Sequence, residues 1–155
     1  MRLKLLQYSL KKYEKQIHTI LCVFSIIVLL FFPFVELDYG YDIESTYTGF
    51  TMAMNTYVGY FLFLLPVALV LAHYVPKYAA KKPLFSVVVP ILCIAVWLLT
   101  VLFSKTFNSQ FSDATLASGA WLSLISYILL GVYGVVMYKD VIVELINYIK
   151  NNSQK

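Results

Sequence analysis

Residues 36–56 read ELDYGYDIESTYTGFTMAMNT, and this stretch decides how the rest of the chain is laid out. It holds Glu36, Asp38, Asp42 and Glu44 and no Lys or Arg, in a chain whose formal net charge is +4. Apolar runs flank it on both sides. Basic residues are retained on the side of a membrane from which a chain is inserted, so an acidic, cation-free segment between two apolar runs reads as an outer loop.

Working outward, residues 17–35 carry no Asp, Glu, Lys or Arg. At about 1.5 Å per residue they reach across a hydrocarbon core of roughly 30 Å and form the first expected span. The run is too long for the apolar part of a secretory signal, and no small-residue cleavage pattern follows, so it is expected to stay in the mature chain. Pro33 should loosen its last turn. Within the loop, 35–41 and 43–48 are rich in Tyr, Thr and β-branched residues around Gly40, a composition that permits a short β-hairpin. Helical patterning resumes at Thr48 or Gly49 and leads into a second span, 57–75, that Pro66 should kink.

Lys77, Lys81 and Lys82 mark 76–83 as a cytoplasmic loop, after which 84–103 forms a third span containing Pro90 and Trp97. A second outer loop, 104–118, includes Ser112 as an N-cap, with Asp113 and Ala114 as a first helical turn. The fourth span, 119–138, places Gly119, Ser123, Ser126, Gly131 and Gly134 along one side. Small residues let helices approach closely where lipid supplies no hydrophobic drive to associate, so these five form the expected helix-packing face. The ends, 1–16 and 139–150, are amphipathic. In the second, Asp140, Glu144, Asn147 and Asn151 lie opposite Val141, Ile142, Leu145 and Ile149, a pattern suited to a membrane surface.

Of the twelve Lys and Arg residues, only Lys105 falls in an outer loop. Both termini are therefore expected in the cytoplasm. With 61% hydrophobic and 13% charged residues the chain has the balance of a membrane protein rather than a soluble domain. Its basic residues border apolar runs, where they suit phospholipid headgroups, and nucleic-acid binding is not expected. Cys22 and Cys93 lie inside apolar runs and read as small buried hydrophobes rather than a disulfide or metal pair. The fold class is thus all-α: an integral membrane four-helix bundle with a short hairpin outside, in which the two halves look alike, as in a duplicated helical hairpin.

Candidate chemistry is sparse. The acidic quartet offers oxygen ligands for a hard cation, but its spacing matches no standard calcium loop. The sharper alternative is contact with a basic partner through complementary potential. His18 and His73 both border the cytoplasmic side and could approach each other, yet no carboxylate or cysteine accompanies them at that depth. His18 and Cys22, at helical i,i+4 spacing, lack further ligands on the same helix. The cores of the four spans hold no ionisable residue, which argues against ion-coupled transport. No span supplies a base beside a nucleophile, and no glycine-rich phosphate cradle is present. No catalytic residue, cofactor or metal is assigned, and an enzyme acting on lipid would need polar groups from another chain.

The segments FFPFVELDYG, STYTGF and GAWLSLISYILLGVYGVV resemble small four-span membrane proteins of low-GC Gram-positive bacteria, in which an outer Thr-Gly-aromatic opening and a Gly-rich last span recur. The resemblance covers most of the chain. It implies a multi-pass plasma-membrane protein of a mostly uncharacterised kind, among which some of similar size are bacteriocin or toxin immunity proteins or accessory subunits of envelope complexes, and it carries no functional residue across. The expected function is non-enzymatic: protein–protein interaction through Glu36, Asp38, Asp42 and Glu44, with another membrane protein or a cationic peptide as partner and oligomer formation left open. The alternative is a pore or carrier subunit for a small neutral solute, lined by residues such as Ser25, Ser86, Thr100 and Tyr127.

Overall fold

The computed structural model describes residues 11–38, 44–107 and 113–152. Its elements run α1 (Glu14–Phe31), β1 (Pro33–Asp38), β2 (Glu44–Thr48), α2 (Gly49–Asn55), a 3-10 turn (Tyr57–Tyr60), α3 (Phe61–Tyr74), a second 3-10 segment (Pro76–Lys81), α4 (Lys82–Phe107), β3 (Asp113–Leu116), α5 (Ser118–Met137) and α6 (Lys139–Asn152). Four stretches, Glu14–Phe31, Tyr57–Tyr74, Pro76–Phe103 and Ser118–Met137, are long and apolar enough to cross a membrane.

The four long helices form a ring in which α1 packs on α3, α3 on α4, α4 on α5, and α5 back on α1. Cys22, Leu29, Leu62, Leu69, Cys93, Trp97, Ala120, Tyr127 and Leu130 fill its centre. The outer surface is no more polar than the inside: Ile20, Phe31, Leu64, Leu71, Ile91, Leu102, Trp121 and Val132 are all more than half exposed. Water would penalise such a rind at roughly 25 cal/mol per Å², whereas hydrocarbon would not.

Pro33 has a larger effect than loosening a turn. The residue before a proline is pushed out of the α region, and Phe32 is extended at φ −96°, ψ 146°, so α1 ends at Phe31 and Pro33 opens β1. The expected hairpin is present as β1 paired antiparallel with β2, with Glu36 opposite Thr46 and Val35 opposite Tyr47. Its turn, with Gly40 and Asp42, lies outside the described residues.

The segment read from sequence as the second outer loop departs from that reading. Asp113 and Ala114 do not begin a helix; they belong to β3, which pairs antiparallel with the free edge of β1 to give the order β2-β1-β3. Helix α5 starts only at Ser118. The reason is cooperative: β1 exposes a second row of backbone donors and acceptors, and Thr115 and Leu116 satisfy it opposite Glu36 and Val35. The sheet alternates as a half-buried sheet must. Val35 is buried, with Tyr47 and Leu116 half-buried beside it, while Glu36, Thr46 and Thr115 face outward in one row.

Thr48 ends β2 and caps α2, its Oγ1 accepting from the Thr51 amide at 3.3 Å. The helical patterning that resumes there breaks at Thr56, which is extended, before α3 begins. Pro66 and Pro90 lie inside α3 and α4 and remove the amide donors that would bond the carbonyls of Leu62 and Ser86, four residues earlier. Helix α5 meets both. Tyr127 Oη donates to Leu62 O at 3.1 Å. At Ser86 the contact is backbone to backbone, since a Cβ on Gly134 would stand 2.1 Å from that carbonyl oxygen. Only glycine permits such an approach, and its Cα–H then faces the orphan acceptor.

Candidate functional site

A cluster of buried and half-buried polar side chains lies at the end of the bundle opposite the sheet. Helix α1 begins with Glu14, which places Glu14 and His18 one turn apart on the same face. His73 lies in the last turn of α3, Ser86 in the first turns of α4, and Tyr138 just after α5. All four long helices therefore contribute a group to one small volume.

His18 and His73 are fully buried and stack, with ring centroids 4.1 Å apart. Each Nδ1 lies against the carbonyl four residues back on its own helix, Glu14 O at 3.0 Å and Leu69 O at 2.9 Å. A carbonyl only accepts, so Nδ1 carries the proton on both rings and the neutral form of each has its lone pair at Nε2. His73 Nε2 is 3.3 Å from Glu14 Oε1 and 3.3 Å from Ser86 Oγ. Tyr138 donates its hydroxyl to the same Glu14 carboxylate. Tyr133 closes the other side of His18, edge-on at 4.9 Å. At the rim Thr19 donates to Tyr74 Oη at 3.3 Å, and the Lys15 ammonium stands 5.7 Å from the Tyr74 ring.

The carboxylate missing from the sequence reading of the histidine pair is thus Glu14. Its signal was present as an EKQIH segment, glutamate and histidine at i,i+4 spacing. Assigning residues 1–16 to a separate surface helix placed Glu14 outside the span, where the helix α1 of the structure includes it. The same change brings an ionisable group into a candidate span. Cys22, one turn beyond His18, joins the apolar core instead.

The residues chosen from sequence lie elsewhere. Glu36 is exposed on β1. Asp38 pairs in register with Glu44 on one side and Asp113 on the other, which sets three acidic positions abreast at one end of the sheet; Asp42 falls outside the described residues. On α5, Gly119, Ser123, Ser126 and Gly134 are buried within the bundle, and Gly131 is half-buried with Pro90 3.5 Å from where its Cβ would be. Ser25, Thr100, Ser123 and Ser126 spend their hydroxyls on carbonyls three or four residues back, at 2.7–2.9 Å. No family model matches this sequence, and no match to it was found among curated proteins or solved structures.

Proposed function

We propose that the chain is a multi-pass protein of a bacterial plasma membrane, with both termini in the cytoplasm, that works without catalysing a reaction: its outer sheet is a contact surface for a basic partner. The observation that carries this reading is the joining of two outer segments, distant in sequence, into one sheet whose solvent row is Glu36, Thr46 and Thr115 and whose end sets Asp38 between Glu44 and Asp113. Backbone pairing holds these acidic positions at fixed spacing, so a cationic peptide or a basic segment of another membrane protein meets a preorganised field rather than a loose loop. Immunity to a membrane-active peptide, or service as an accessory subunit of an envelope complex, are the concrete forms of this role.

Two experiments test it. Gly40→Cys and Ala79→Cys should label from opposite sides of the membrane, since the native Cys22 and Cys93 are fully buried and stay silent; labelling from one side alone overturns the topology. Cross-linked partners recovered from membranes should be lost when Glu36, Asp38, Asp42 and Glu44 are changed together to their amides, and undiminished recovery overturns the contact surface. The reading as a neutral-solute pore gains little support from the bundle interior, where the candidate lining hydroxyls of Ser25, Thr100 and Tyr127 are already committed to backbone carbonyls. Solute flux through reconstituted vesicles would restore it.

A further inference from the structure

The end of the bundle away from the sheet carries a buried nitrogen that the protein leaves without a partner. His18 is fully enclosed, and among the described residues no donor or acceptor reaches its Nε2. Such atoms are nearly always satisfied, because an unpaired one gives up its hydration and gains nothing. The other ring nitrogen is already bonded to the Glu14 carbonyl, so Nε2 presents a bare lone pair. His73 has the same Nδ1 bond to a carbonyl, but its Nε2 lies 3.3 Å from the Ser86 hydroxyl, which can donate to it, and also faces a Glu14 carboxylate oxygen at 3.3 Å. Two lone pairs at that distance repel unless a cation stands between them. A proton on His73 would serve that one contact, but it would leave His18 Nε2 unsatisfied and press a positive ring against the imidazole stacked 4.1 Å away. A metal ion serves all three groups at once.

We propose that Glu14, His18 and His73 bind a first-row divalent transition-metal ion, with Zn²⁺ the best match, which clamps α1 to α3 at the end of the bundle opposite the sheet. One ligand atom from each of the three lies within 4.8 Å of the others, wider than a bound ion allows, so binding must draw the three together. Nitrogen and oxygen ligands held tetrahedrally around Zn²⁺ at about 2.0–2.2 Å stand about 3.3–3.6 Å from one another. The pair His73 Nε2 and Glu14 Oε1 already has that separation, 3.3 Å. Two imidazoles and one carboxylate suit Zn²⁺ and its first-row neighbours. Ca²⁺ and Mg²⁺ demand a shell of six or more oxygens, which one carboxylate does not begin to supply. The surroundings match those of bound metals: both histidines are oriented by Nδ1–H bonds to backbone carbonyls, and Glu14 accepts a hydroxyl from Tyr138. The Glu14 side chain is 15% exposed, so an ion or a water completing the coordination has a way in. This site is at the opposite end from the proposed contact surface, and neither proposal depends on the other.

The test uses the tag-free full-length chain in detergent, stripped with a chelator and titrated with Zn²⁺ against a chromophoric competitor. One Zn²⁺ per chain is expected, with a higher melting temperature in its presence. His18→Gln, His73→Gln and Glu14→Gln should each weaken binding by at least the roughly 10–100-fold that loss of an outer-shell partner alone costs. Co²⁺ added to the stripped wild-type protein should give the intense visible bands of a four-coordinate site, a reading that needs no variant and decides the matter if the Gln variants do not fold. Failure of the wild type to take up Zn²⁺ at one equivalent, unchanged affinity in folded His18→Gln and His73→Gln, or a Co²⁺ spectrum no stronger than that of the aqueous ion would each overturn the proposal.

Discussion

At one end of the bundle β1 is paired on both edges, by β2 and by β3, and the seal is made of backbone hydrogen bonds that many sequences could supply. At the other end no strand is found among the described residues, and side chains join the helices: a carboxylate, two histidines, a serine and a tyrosine. The contrast separates two kinds of constraint. Backbone pairing tolerates substitution and fixes the positions of whatever side chains it carries, which suits a surface meant to be recognised. A buried cluster of ionisable groups carries a desolvation cost, which in a candidate span is a reason to look for function there first.

The sharpest way to break this comparison lies between the two ends, where α5 closes on α4. Gly134→Leu forces a side chain into the Ser86 carbonyl, only 2.1 Å from where the Cβ must sit. Because the obstacle is backbone, relief requires moving a helix, and the expected loss exceeds the ~1–3 kcal/mol typical of overpacking. Size-exclusion profiles and thermal melts in detergent should show little folded protein, with both ends disrupted together. Gly131→Ala is the control: Pro90 lies at 3.5 Å there, ordinary contact, and the melt should stay within about 0.5 kcal/mol of wild type. An intact Gly134→Leu protein would mean that α4 and α5 are not held where the structure places them.

A smaller effect addresses the sheet alone. Ala117→Pro removes the amide that donates to Phe34 O at 3.0 Å, at a φ of −87° that is near the range proline accepts. The expected cost is about 1–3 kcal/mol, and hydrogen exchange should quicken in 33–38 and 113–116 while the His18 and His73 region keeps its protection. Equal loss of protection at both ends would erase the distinction. Smaller still is Tyr127→Phe, which strips the donor from the Leu62 carbonyl that Pro66 orphans. About 1 kcal/mol should be lost, and most of it should vanish in a Pro66→Ala background, where the restored amide can bond Leu62 O. Equal costs in the two backgrounds would show that the proline and the tyrosine are not coupled.

Much of the architecture was legible because it rests on features that act over short stretches. Unbroken apolar runs announced the four helices, and the Tyr- and Thr-rich segments around Gly40 announced the hairpin. What escaped depends on pairing between distant segments. Residues 113–116, DATL, have the local look of a cap and first turn, and only the open edge of β1 makes them a strand. Glu14 escaped for a related reason: its surroundings in sequence are basic and polar, and nothing local shows that α1 opens on it or that His73 and Tyr138 await it. The partners of the two proline-orphaned carbonyls were likewise invisible, although Leu62 and Ser86 could be named from the prolines alone.

The subtlest test concerns the histidine end and turns on a change that should cost almost nothing. His18→Leu removes a buried nitrogen without a partner, and the Glu14 carbonyl it also releases keeps its own donor within the helical ladder. Replacing an unsatisfied buried polar atom by an apolar group of similar size is near neutral or stabilising, so in metal-free buffer the melt should move by less than about 1 kcal/mol, upward if at all. A core position of comparable burial at the sheet end, Phe34→Ala, should lose about 3–5 kcal/mol in the same buffer. A protein that tolerates Leu at position 18 this well would be holding a histidine there for something other than stability. A loss above about 2 kcal/mol would instead mean that the imidazole already has a partner in the apo protein, and the case for an unmet lone pair would fail with it.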